Sequence, residues 1–430
     1  MSAEEQKADL RPDCGDRKQD GIETCDDRRG CESVRPAFRW MAQELEELRR
    51  NALYRELVET KAVGQGWVVR GGRRMLNLAS NDYLGLAEER AEHRGAARHG
   101  ASASRLIVGS DPLFSEWEDE WAAFKETQSS IMFGSGYMAN VGVIAALADR
   151  DTCVFSDRLN HASIVDGIVL SRARLFRYRH RDFDQLESQL KNAPPQAKKL
   201  IVTDAVFSMD GSVAPLKELV ELKEKYGAML MVDEAHSGGV FGADGRGLAH
   251  EFGVTERVDV HMGTFSKAYG GYGAYVAGDR VLIDYLVNKA RSLIYSTALP
   301  PSLVAVVRDN WRRALREPWR REAVRGGAER FRRRLREGGL DTGLSECQIV
   351  PVLVGDNALA LQFAQALQRE GIAAVAIRPP TVPEGGARIR FSLMGTHRAE
   401  DLDWAVSRIV EIGRQLGIAQ RGSADRTSEA

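Results

Sequence analysis

Apolar residues recur in two different patterns along this chain, and the alternation between them predicts its fold. Between about residues 90 and 300, short apolar runs alternate with amphipathic stretches such as 216–226, where Leu219, Leu222 and Tyr226 share a helical face. Several runs are continuous rather than alternating, as in strands covered on both faces. The runs interpreted as strands are 130–133, 152–155, 200–203, 228–233, 258–262 and 274–277. This order predicts an α/β domain with a mainly parallel sheet.

The flanking segments have different compositions, and these predict the domain organisation. Residues 1–36 are dense in charged side chains and cannot bury enough apolar surface to offset their ordering entropy, so we expect a disordered polar tail. Residues 37–89 form an N-terminal arm with a helical pattern over 38–58. The remaining units are a large α/β domain over 90–300, a smaller C-terminal α+β domain over 301–418 and a tail over 419–430.

Bulk composition excludes several classes of function. The chain has 430 residues, of which 43% are hydrophobic and 28% charged, and its formal net charge of −1 gives no general attraction to nucleic acid or membrane. No apolar run approaches the roughly 18–20 residues that span a bilayer, and the N-terminus lacks the apolar core of a secretory signal, so a cytoplasmic location is expected. The basic stretch 311–335 is interpreted as helical, with a core face and a solvated basic face.

The cysteines and histidines predict no metal site. The five cysteines include no Cys-x-x-Cys pair, and their odd number argues against a complete disulfide framework, so they are interpreted as reduced thiols. The segment Asp233-Glu-Ala-His236 also lacks the second histidine of a His-Glu-x-x-His zinc motif.

One lysine, Lys267, lies in a glycine-rich loop between two predicted strands. Four glycines flank or follow it, at positions 263, 270, 271 and 273. Because glycine lets the backbone turn tightly, such a loop can hold a lysine close to a bound group, where it can form a Schiff base with a carbonyl cofactor. Taken alone, the loop also fits a surface lysine in a hairpin-like turn, so its interpretation depends on the residues at other strand ends.

Polar residues follow several of the predicted strands, at the edge where open α/β sheets bind ligands. Gly136 starts a predicted helix that could bind phosphate, and Asp233 ends a strongly apolar strand, where a carboxylate is costly unless it meets a cation. Asp233 and Lys267 are one helix-plus-strand unit apart, so we expect them at the same sheet edge. A lysine, a buried aspartate that keeps a pyridine nitrogen protonated, and a phosphate site are the requirements of pyridoxal phosphate.

Two alternatives are weaker on the same residues. A nucleotide-dependent oxidoreductase would need Gly-x-Gly-x-x-Gly, and the segment Gly134-Ser-Gly-Tyr-Met-Ala139 lacks the third glycine. A non-enzymatic protein of the same fold would be favoured only if Lys267 were replaced.

Taken together, the motifs resemble the α-oxoamine synthases, which are fold-type-I pyridoxal-phosphate enzymes that condense an amino acid with an acyl thioester and release CO2. The resemblance covers about residues 38–418 and implies a large domain with a mainly parallel seven-stranded sheet plus a smaller α+β C-terminal domain. It rests on segments 80–86, 135–137, 160–163, 207–211, 232–236, 263–267, 295–297 and 377–383. Many motifs in one order are far more specific than any single motif.

The resemblance implies a role for each matching position. The catalytic residues would be Lys267, which holds the cofactor and moves the Cα proton, Asp233, which pairs with the pyridine nitrogen, and His161, which stacks on the ring. The other implied cofactor contacts are His236, Ser208, Thr264, Gly136, Tyr137, Ser296 and Thr297. The implied substrate contacts are Arg55, Asn81, His161, Arg378, Thr381 and Arg390, with Arg390 as the carboxylate binder. Because the segment with Ser296 and Thr297 often reaches the partner subunit's cofactor in this family, a homodimer with a shared active site is implied.

Within the family, segments 157–167, 293–297 and 378–383 most resemble the 8-amino-7-oxononanoate synthases. These enzymes join L-alanine to a pimeloyl thioester, carried by coenzyme A or a carrier protein, and release 8-amino-7-oxononanoate, CO2 and free thiol in biotin synthesis. The alternative is a glycine C-acetyltransferase (2-amino-3-ketobutyrate CoA ligase) or another α-oxoamine synthase. Ala103, Phe114, Ser115 and Ser237 depart from common residues of the family, and these departures concern the acyl substrate rather than the cofactor.

Overall fold

The computed structural model describes residues 35–89 and 98–419, and the chain divides into two compact units, Met1–Tyr54 and Arg55–Ala430. The tails predicted over 1–36 and 419–430 lie outside the described residues, except for residues 35, 36 and 419. The large and small domains predicted over 90–300 and 301–418 both fall within the second unit, so their separation stays a prediction.

The described part of the first unit is a short 3₁₀ turn, Pro36–Phe38, followed by helix α1, Arg39–Arg50. The helical pattern predicted over 38–58 extends too far, because the chain leaves the helix after Arg50. Ala52 has a φ of 56°, a left-handed conformation that a right-handed helix cannot contain. Apolar residues continue at helical spacing beyond Arg50, but the backbone there is not helical.

The strands of the second unit form three sheets. Their bounds are β1 (Thr60–Ala62), β2 (Trp67–Arg70), β3 (Arg73–Asn77), β4 (Ser129–Phe133), β5 (Thr152–Asp157), β6 (Arg174–Tyr178), β7 (Lys198–Asp204), β8 (Met229–Asp233), β9 (Val260–Thr264), β10 (Ala274–Gly278), β11 (Ile349–Gly355), β12 (Ile372–Ala373), β13 (Ala376–Ile377) and β14 (Ala387–Ser392). The sheet orders are β4-β10-β9-β8-β7-β5-β6, β1-β2-β3-β12 and β11-β14-β13.

The seven-stranded sheet confirms the predicted fold class. Its strands are parallel apart from β10, which runs antiparallel to both β9 and β4. Along β8, Leu230 and Val232 pack into one core and Met231 into the core on the opposite face. Burial on both faces is why these strands read as continuous apolar runs.

Helices cover both faces of this sheet and surround the smaller ones. Their bounds are α2 (Pro112–Phe124), α3 (Gly136–Leu147), α4 (Ala162–Ser171), α5 (Phe183–Asn192), α6 (Leu216–Tyr226), α7 (Leu248–Glu251), α8 (Arg280–Lys289), α9 (Arg291–Ile294), α10 (Pro301–Arg316), α11 (Trp319–Glu337), α12 (Asn357–Arg369) and α13 (Ala399–Gln415). The basic stretch 311–335 is divided between α10 and α11, with Trp311, Phe331 and Leu335 buried as predicted. In the part of the chain that the structure describes, no helix is long and apolar enough to cross a membrane.

Candidate active site

Lys267 lies three residues beyond the end of β9, in the loop that returns antiparallel as β10. The backbone N–H of Gly270 donates to the carbonyl of Lys267 at 2.9 Å, which closes a tight turn around the lysine. Gly270 has a φ of 59°, and a Cβ there would lie 2.3 Å from the backbone nitrogen of Ala87. Glycine is therefore required by the neighbouring chain, which fixes the path of the loop.

The Lys267 amine faces a cavity of about 210 Å³ at the carboxyl edge of the sheet. This volume is below the roughly 300–1,000 Å³ typical of drug-sized ligands and suits a ligand with a single ring. The cavity is lined by Ser135, Gly136, Tyr137, Asn140, His161, Ser163, Asp204, Ser208, Asp233, Ala235, His236, Met262, Thr264, Ser266 and Lys267. Eight predicted site residues are thus brought together from the ends of five strands.

Asp233 supplies a buried carboxylate at one end of this cavity. Its side chain accepts hydrogen bonds from Asn140 Nδ2 at 2.8 Å and from the backbone N–H of Ala235 at 2.9 Å. Within the described residues, no lysine, arginine or histidine lies within ion-pairing distance of it. A buried carboxylate that has only neutral donors is stabilised by a cationic group entering the cavity, such as a protonated pyridine nitrogen.

The N-terminal end of α3 also lines the cavity. Ser135 is the N-cap, and its hydroxyl accepts the backbone N–H of Met138 at 3.2 Å. Gly136 follows, and a Cβ there would lie 3.3 Å from Met262 and 3.7 Å from Thr264, so a larger residue would narrow the cavity. The free N–H groups and the helix dipole at such a terminus favour an anion such as phosphate.

Two further predicted residues lie at this end. The Thr264 hydroxyl donates to the carbonyl of Gly273 at 2.8 Å and lies 2.8 Å from the Ser266 hydroxyl. The Tyr137 hydroxyl donates to the carboxylate of Asp166, and the tyrosine side chain is half exposed. Both residues reach the cavity, and Ser266 adds a hydroxyl that the sequence did not indicate.

A chain of hydrogen bonds leads from Lys267 into the core. Its amine lies 2.7 Å from Nε2 of His236, and Nδ1 of the same ring lies 2.6 Å from the Tyr83 hydroxyl. That hydroxyl is 3.2 Å from Oδ1 of Asn81, which also accepts from Nη2 of Arg390 at 3.0 Å. Because a guanidinium only donates, the amide oxygen of Asn81 must face Arg390. The lysine is thus linked to the predicted carboxylate binder.

Burial changes the protonation of this group. It lowers the pKa of Lys267 to about 8, although the charges of Asp233 and Asp204 act in the opposite direction. Burial, with the charges of Lys267 and Arg390, holds the pKa of His236 well below its usual value. The imidazole is therefore neutral, and its Nε2 can accept a proton from the lysine ammonium while Nδ1–H faces Tyr83.

His161 caps the N-terminus of α4 and lines the cavity. Its backbone N–H donates to Asp204 at 2.8 Å, and its Nδ1 lies 2.7 Å from the Ser163 hydroxyl. Burial lowers the pKa of His161, and burial together with the charge of Asp233 raises the pKa of Asp204 well above its usual range. The ring is neutral and is held at Nδ1 by Ser163, which is compatible with the predicted stacking role.

The predicted substrate residues are more widely spread. Arg390 lies on β14 and donates to the Ser208 carbonyl and, at 2.8 Å, to the Ser392 hydroxyl. Arg55 donates to the Pro379 carbonyl at 3.4 Å, and burial together with the Arg55 charge lowers the pKa of Arg378. Thr381 lines a neighbouring cleft rather than the cavity.

Ser296 and Thr297 do not line this chain's cavity; they lie in the loop after α9. Their predicted contact is with the cofactor of a partner subunit, so a single chain leaves it a prediction.

Several residues of the site escaped the sequence analysis: Asn140, Ser163 and Asp204, which line the cavity, and Tyr83, which lies behind it against His236. Asn140 could have been noticed in the sequence, because it is a polar residue in the otherwise apolar helix α3, where it is buried. Its partner Asp233 is 93 positions away, so the pattern could mark the residue as unusual but could not say what it contacts.

The donors and acceptors of the cavity fit pyridoxal phosphate. The carboxylate of Asp233 can pair with the protonated ring nitrogen of that molecule, and the amine of Lys267 can react with its aldehyde. The helix N-terminus at Gly136 can bind its phosphate. Among the described residues, no group of three or more His, Cys, Asp or Glu side chains could hold a metal ion. Cys153 and Cys347 are free and buried, and neither lines the cavity.

Comparisons with known proteins point in the same direction. Residues 73–409 match the family described as aminotransferase class I and II. A protein of Geobacillus kaustophilus, provisionally named 8-amino-7-oxononanoate synthase, is 54% identical over 382 residues, which cover 87% of this chain and 98% of the relative. A Bacillus cereus (strain G9842) protein with the same provisional name is 50% identical, with 87% and 97% covered.

Solved structures show the same similarity. Serine palmitoyltransferase of Sphingomonas wittichii superposes with a TM-score of 0.83 at 30% identity, covering 90% of this chain and 99% of that one. The 8-amino-7-oxononanoate synthase of Francisella tularensis gives a TM-score of 0.66 at 28% identity, covering 79% and 97%. Serine palmitoyltransferase structures solved with pyridoxal phosphate give TM-scores of 0.82.

Proposed function

Because the chain belongs to the class I and II aminotransferase family and, within it, to the pyridoxal-phosphate-dependent α-oxoamine synthases, we propose that it condenses L-alanine with a pimeloyl thioester. The products are 8-amino-7-oxononanoate, CO2 and a free thiol, which makes the reaction a step of biotin synthesis. The observation that carries the proposal is the 54% identity to a provisionally named 8-amino-7-oxononanoate synthase over 98% of that relative's length.

When bound, pyridoxal phosphate supplies an electron sink that stabilises negative charge on the Cα of an amino acid. Asp233 would hold a protonated ring nitrogen and so would maintain that sink. Lys267 lies where it can bind the cofactor, and its pKa of about 8 leaves a substantial neutral fraction that can take up the Cα proton. His236 and Tyr83 fix the position of the amine and, with Asn81, offer a hydrogen-bonded path away from it.

Arg390 supplies the carboxylate site. Its Nε and Nη1 are engaged by Ser208 and Ser392, which orient the planar guanidinium, while Nη2 points to Asn81 beside the Lys267 chain. A guanidinium held in this way can meet the α-carboxylate of alanine with two hydrogen bonds. The neutral ring of His161, which lines both the cavity and the neighbouring cleft, can donate a hydrogen bond to the acyl carbonyl.

We also propose a homodimer with a shared active site. Leu106, Ile107 and Val108 are between 51% and 74% exposed, and Tyr295, just after α9, is 71% exposed. The turn that carries the three aliphatic residues packs against α9, and α9 packs on α3, the helix whose N-terminus is the predicted phosphate site. Contiguous exposed apolar surface of this kind favours a subunit interface.

A substrate matrix tests the function. Purified holoenzyme is offered L-alanine, glycine or L-serine with pimeloyl, acetyl or palmitoyl thioesters, and thiol and CO2 are followed. The proposal expects the highest kcat/KM for L-alanine with pimeloyl thioester. Preference for glycine with acetyl thioester would identify a glycine C-acetyltransferase, and preference for L-serine with palmitoyl thioester would identify the activity named for the solved neighbours; either result would overturn the proposal.

A further inference from the structure

A larger cleft of about 770 Å³ adjoins the Lys267 cavity, and His161 and Ser208 line both. Its lining also includes three arginines at two neighbouring strands. Arg158 directly follows β5, while Arg177 lies on the edge strand β6 and Arg179 just beyond it. The cleft therefore opens from the reacting lysine towards a cluster of positive charge.

Two of these arginines have no hydrogen-bond or ion-pair partner for their side chains in the described part of the chain. Arg158 and Arg177 are exposed, and within residues 35–89 and 98–419 neither guanidinium makes a hydrogen bond or ion pair. Arg179 is different, because it pairs with Asp182 at 2.6 Å.

The acidic residues of the cleft are already engaged. Asp166 accepts the Tyr137 hydroxyl, and Asp210 pairs with Arg388 at 2.6 Å. Asp166 keeps its negative charge, since tyrosine is neutral, but the two guanidinium groups of Arg158 and Arg177 outweigh it. The net charge that remains for a ligand is therefore positive, and it is held on the side chain best suited to bind phosphate with two hydrogen bonds.

We propose that Arg158 and Arg177 bind the phosphate groups at the end of the pantetheine arm of the acyl donor. The inference rests on the proposed function, since it takes the donor to be a pantetheine thioester. Coenzyme A and a carrier protein share this chemistry, because both carry phosphate at the end of the arm that bears the thioester. The cleft is the path along which the arm reaches Lys267.

The dimensions agree with this path. In the sheet order, β6 lies three strand spacings from β8, which is about 14 Å at about 4.8 Å per spacing. The pantetheine arm between sulfur and phosphorus has about as many backbone bonds as four amino-acid residues and so spans about 15 Å when extended. Arg177 pairs in register with Ser156, one residue before the carboxyl end of β5, so the arginine lies at the same sheet edge as Asp233. Phosphate at β6 therefore places the thioester near the cavity.

Kinetics with and without phosphate test the proposal. The donors are pimeloyl-CoA, pimeloyl-carrier protein and the phosphate-free pimeloyl-pantetheine, offered to Arg158→Gln, Arg177→Gln and the double variant. We expect the KM for phosphate-bearing donors to rise about tenfold for each arginine removed. The kcat and the KM for alanine should not change, because these contacts bind the donor equally well in the ground state and in the transition state. The KM for pimeloyl-pantetheine should not respond.

Arg174→Gln is the matched control. Arg174 is an exposed arginine of the same strand, three residues from Arg177 and therefore on the other face of β6, and it does not line the cleft. Its removal changes net charge by the same amount and should leave every KM unchanged. A rise of KM for only one of the two phosphate-bearing donors supports the site and identifies that donor as its natural source. KM values for both phosphate-bearing donors that stay at the wild-type level in the Arg158 and Arg177 variants would overturn the proposal, as would an equal effect of Arg174→Gln.

Direct binding separates this inference from the proposed function. Titration of holoenzyme with free coenzyme A and with pantetheine, followed by calorimetry, needs neither alanine nor a pimeloyl chain. If coenzyme A binds at least about tenfold more tightly than pantetheine and loses that advantage in the double variant, the phosphate site stands even where the substrate matrix selects another amino acid. If the advantage persists in the double variant, the phosphates bind elsewhere, whatever the acyl chain.

Discussion

Removal of the Lys125 ammonium should destabilise the fold beside the active site. Lys125 Nζ lies 2.5 Å from Oε2 of Glu234, and the two side chains are 2% and 0% exposed. The other carboxylate oxygen accepts the backbone N–H of Ala249 at 3.1 Å. Glu234 directly follows Asp233, and its own backbone N–H donates to Met262 at 2.7 Å, so the pair secures the strand end that carries the predicted partner of the cofactor nitrogen.

The size of the effect follows from the protonation of Glu234. Burial alone would raise its pKa, but the charge of Lys125 and a hydrogen bond to His261 lower the pKa from 4.5 to about 2. That difference corresponds to about 3 kcal/mol in favour of the ionised, folded form. Because the folded pKa is depressed, this stabilisation is present above about pH 4.5 and is lost as the pH falls towards 2. Breaking one side of a buried pair typically costs about 3–5 kcal/mol, which agrees.

Urea unfolding of the apoprotein measures this effect for Lys125→Met. We expect the free energy of unfolding at pH 7 to fall by about 3 kcal/mol, and the deficit to shrink as the pH falls, because the unpaired carboxyl becomes neutral. The control is Lys198→Met, which removes the lysine of an ion pair with Asp149 whose side chains are 60% and 53% exposed, and it should change stability little. Equal free energies for the two variants at pH 7 would refute this account of the pair.

Three further predictions concern the site itself. The rate at which apoprotein binds pyridoxal phosphate covalently should rise as the pH increases through about 8 and then level off, because the neutral amine of Lys267 is the reactive form; stopped-flow absorbance measures it, and a rate independent of pH would contradict it. Asp233→Asn should keep the yellow, lysine-bound cofactor but lower kcat by about 10²–10³-fold; steady-state rates near wild type would contradict the pairing with a protonated ring. Arg390→Lys should raise the KM for alanine by about tenfold in initial-rate assays, since a lysine cannot form two parallel hydrogen bonds; an unchanged KM would place the carboxylate elsewhere.

The strands of the central sheet were predictable because their burial is extreme. Strands such as β8 are covered on both faces and are apolar until their last residue, which leaves a clear pattern in the sequence. The edge strand β6 was missed, since Arg174 and Arg177 interrupt its apolar run. Edge strands face solvent and commonly carry charged side chains. The two arginines that prevented the prediction of this strand are therefore a consequence of its position at the edge of the sheet.

The two central residues of the site were predictable from topology. Parallel strands end at the same edge of a sheet, so Asp233, at the end of one predicted strand, and Lys267, after another, were expected at the same edge. The network behind them was not, because its contacts cross the chain. Tyr83 meets His236 across 153 positions, and Asn81 meets Arg390 across 309, distances at which no local pattern carries information. The Ser80–Leu86 motif marked Asn81 by resemblance, whereas Tyr83 acquired a partner only in the structure.

The carbon balance of the reaction tests the central claim most directly. Holoenzyme is incubated with pimeloyl-CoA and L-alanine labelled with ¹³C at the carboxyl carbon, and thiol, labelled CO2 and product mass are measured together. The account predicts one labelled CO2 for every thiol released and an unlabelled product with the mass of 8-amino-7-oxononanoate. Thiol release without labelled CO2, or a product that retains the label, would contradict it.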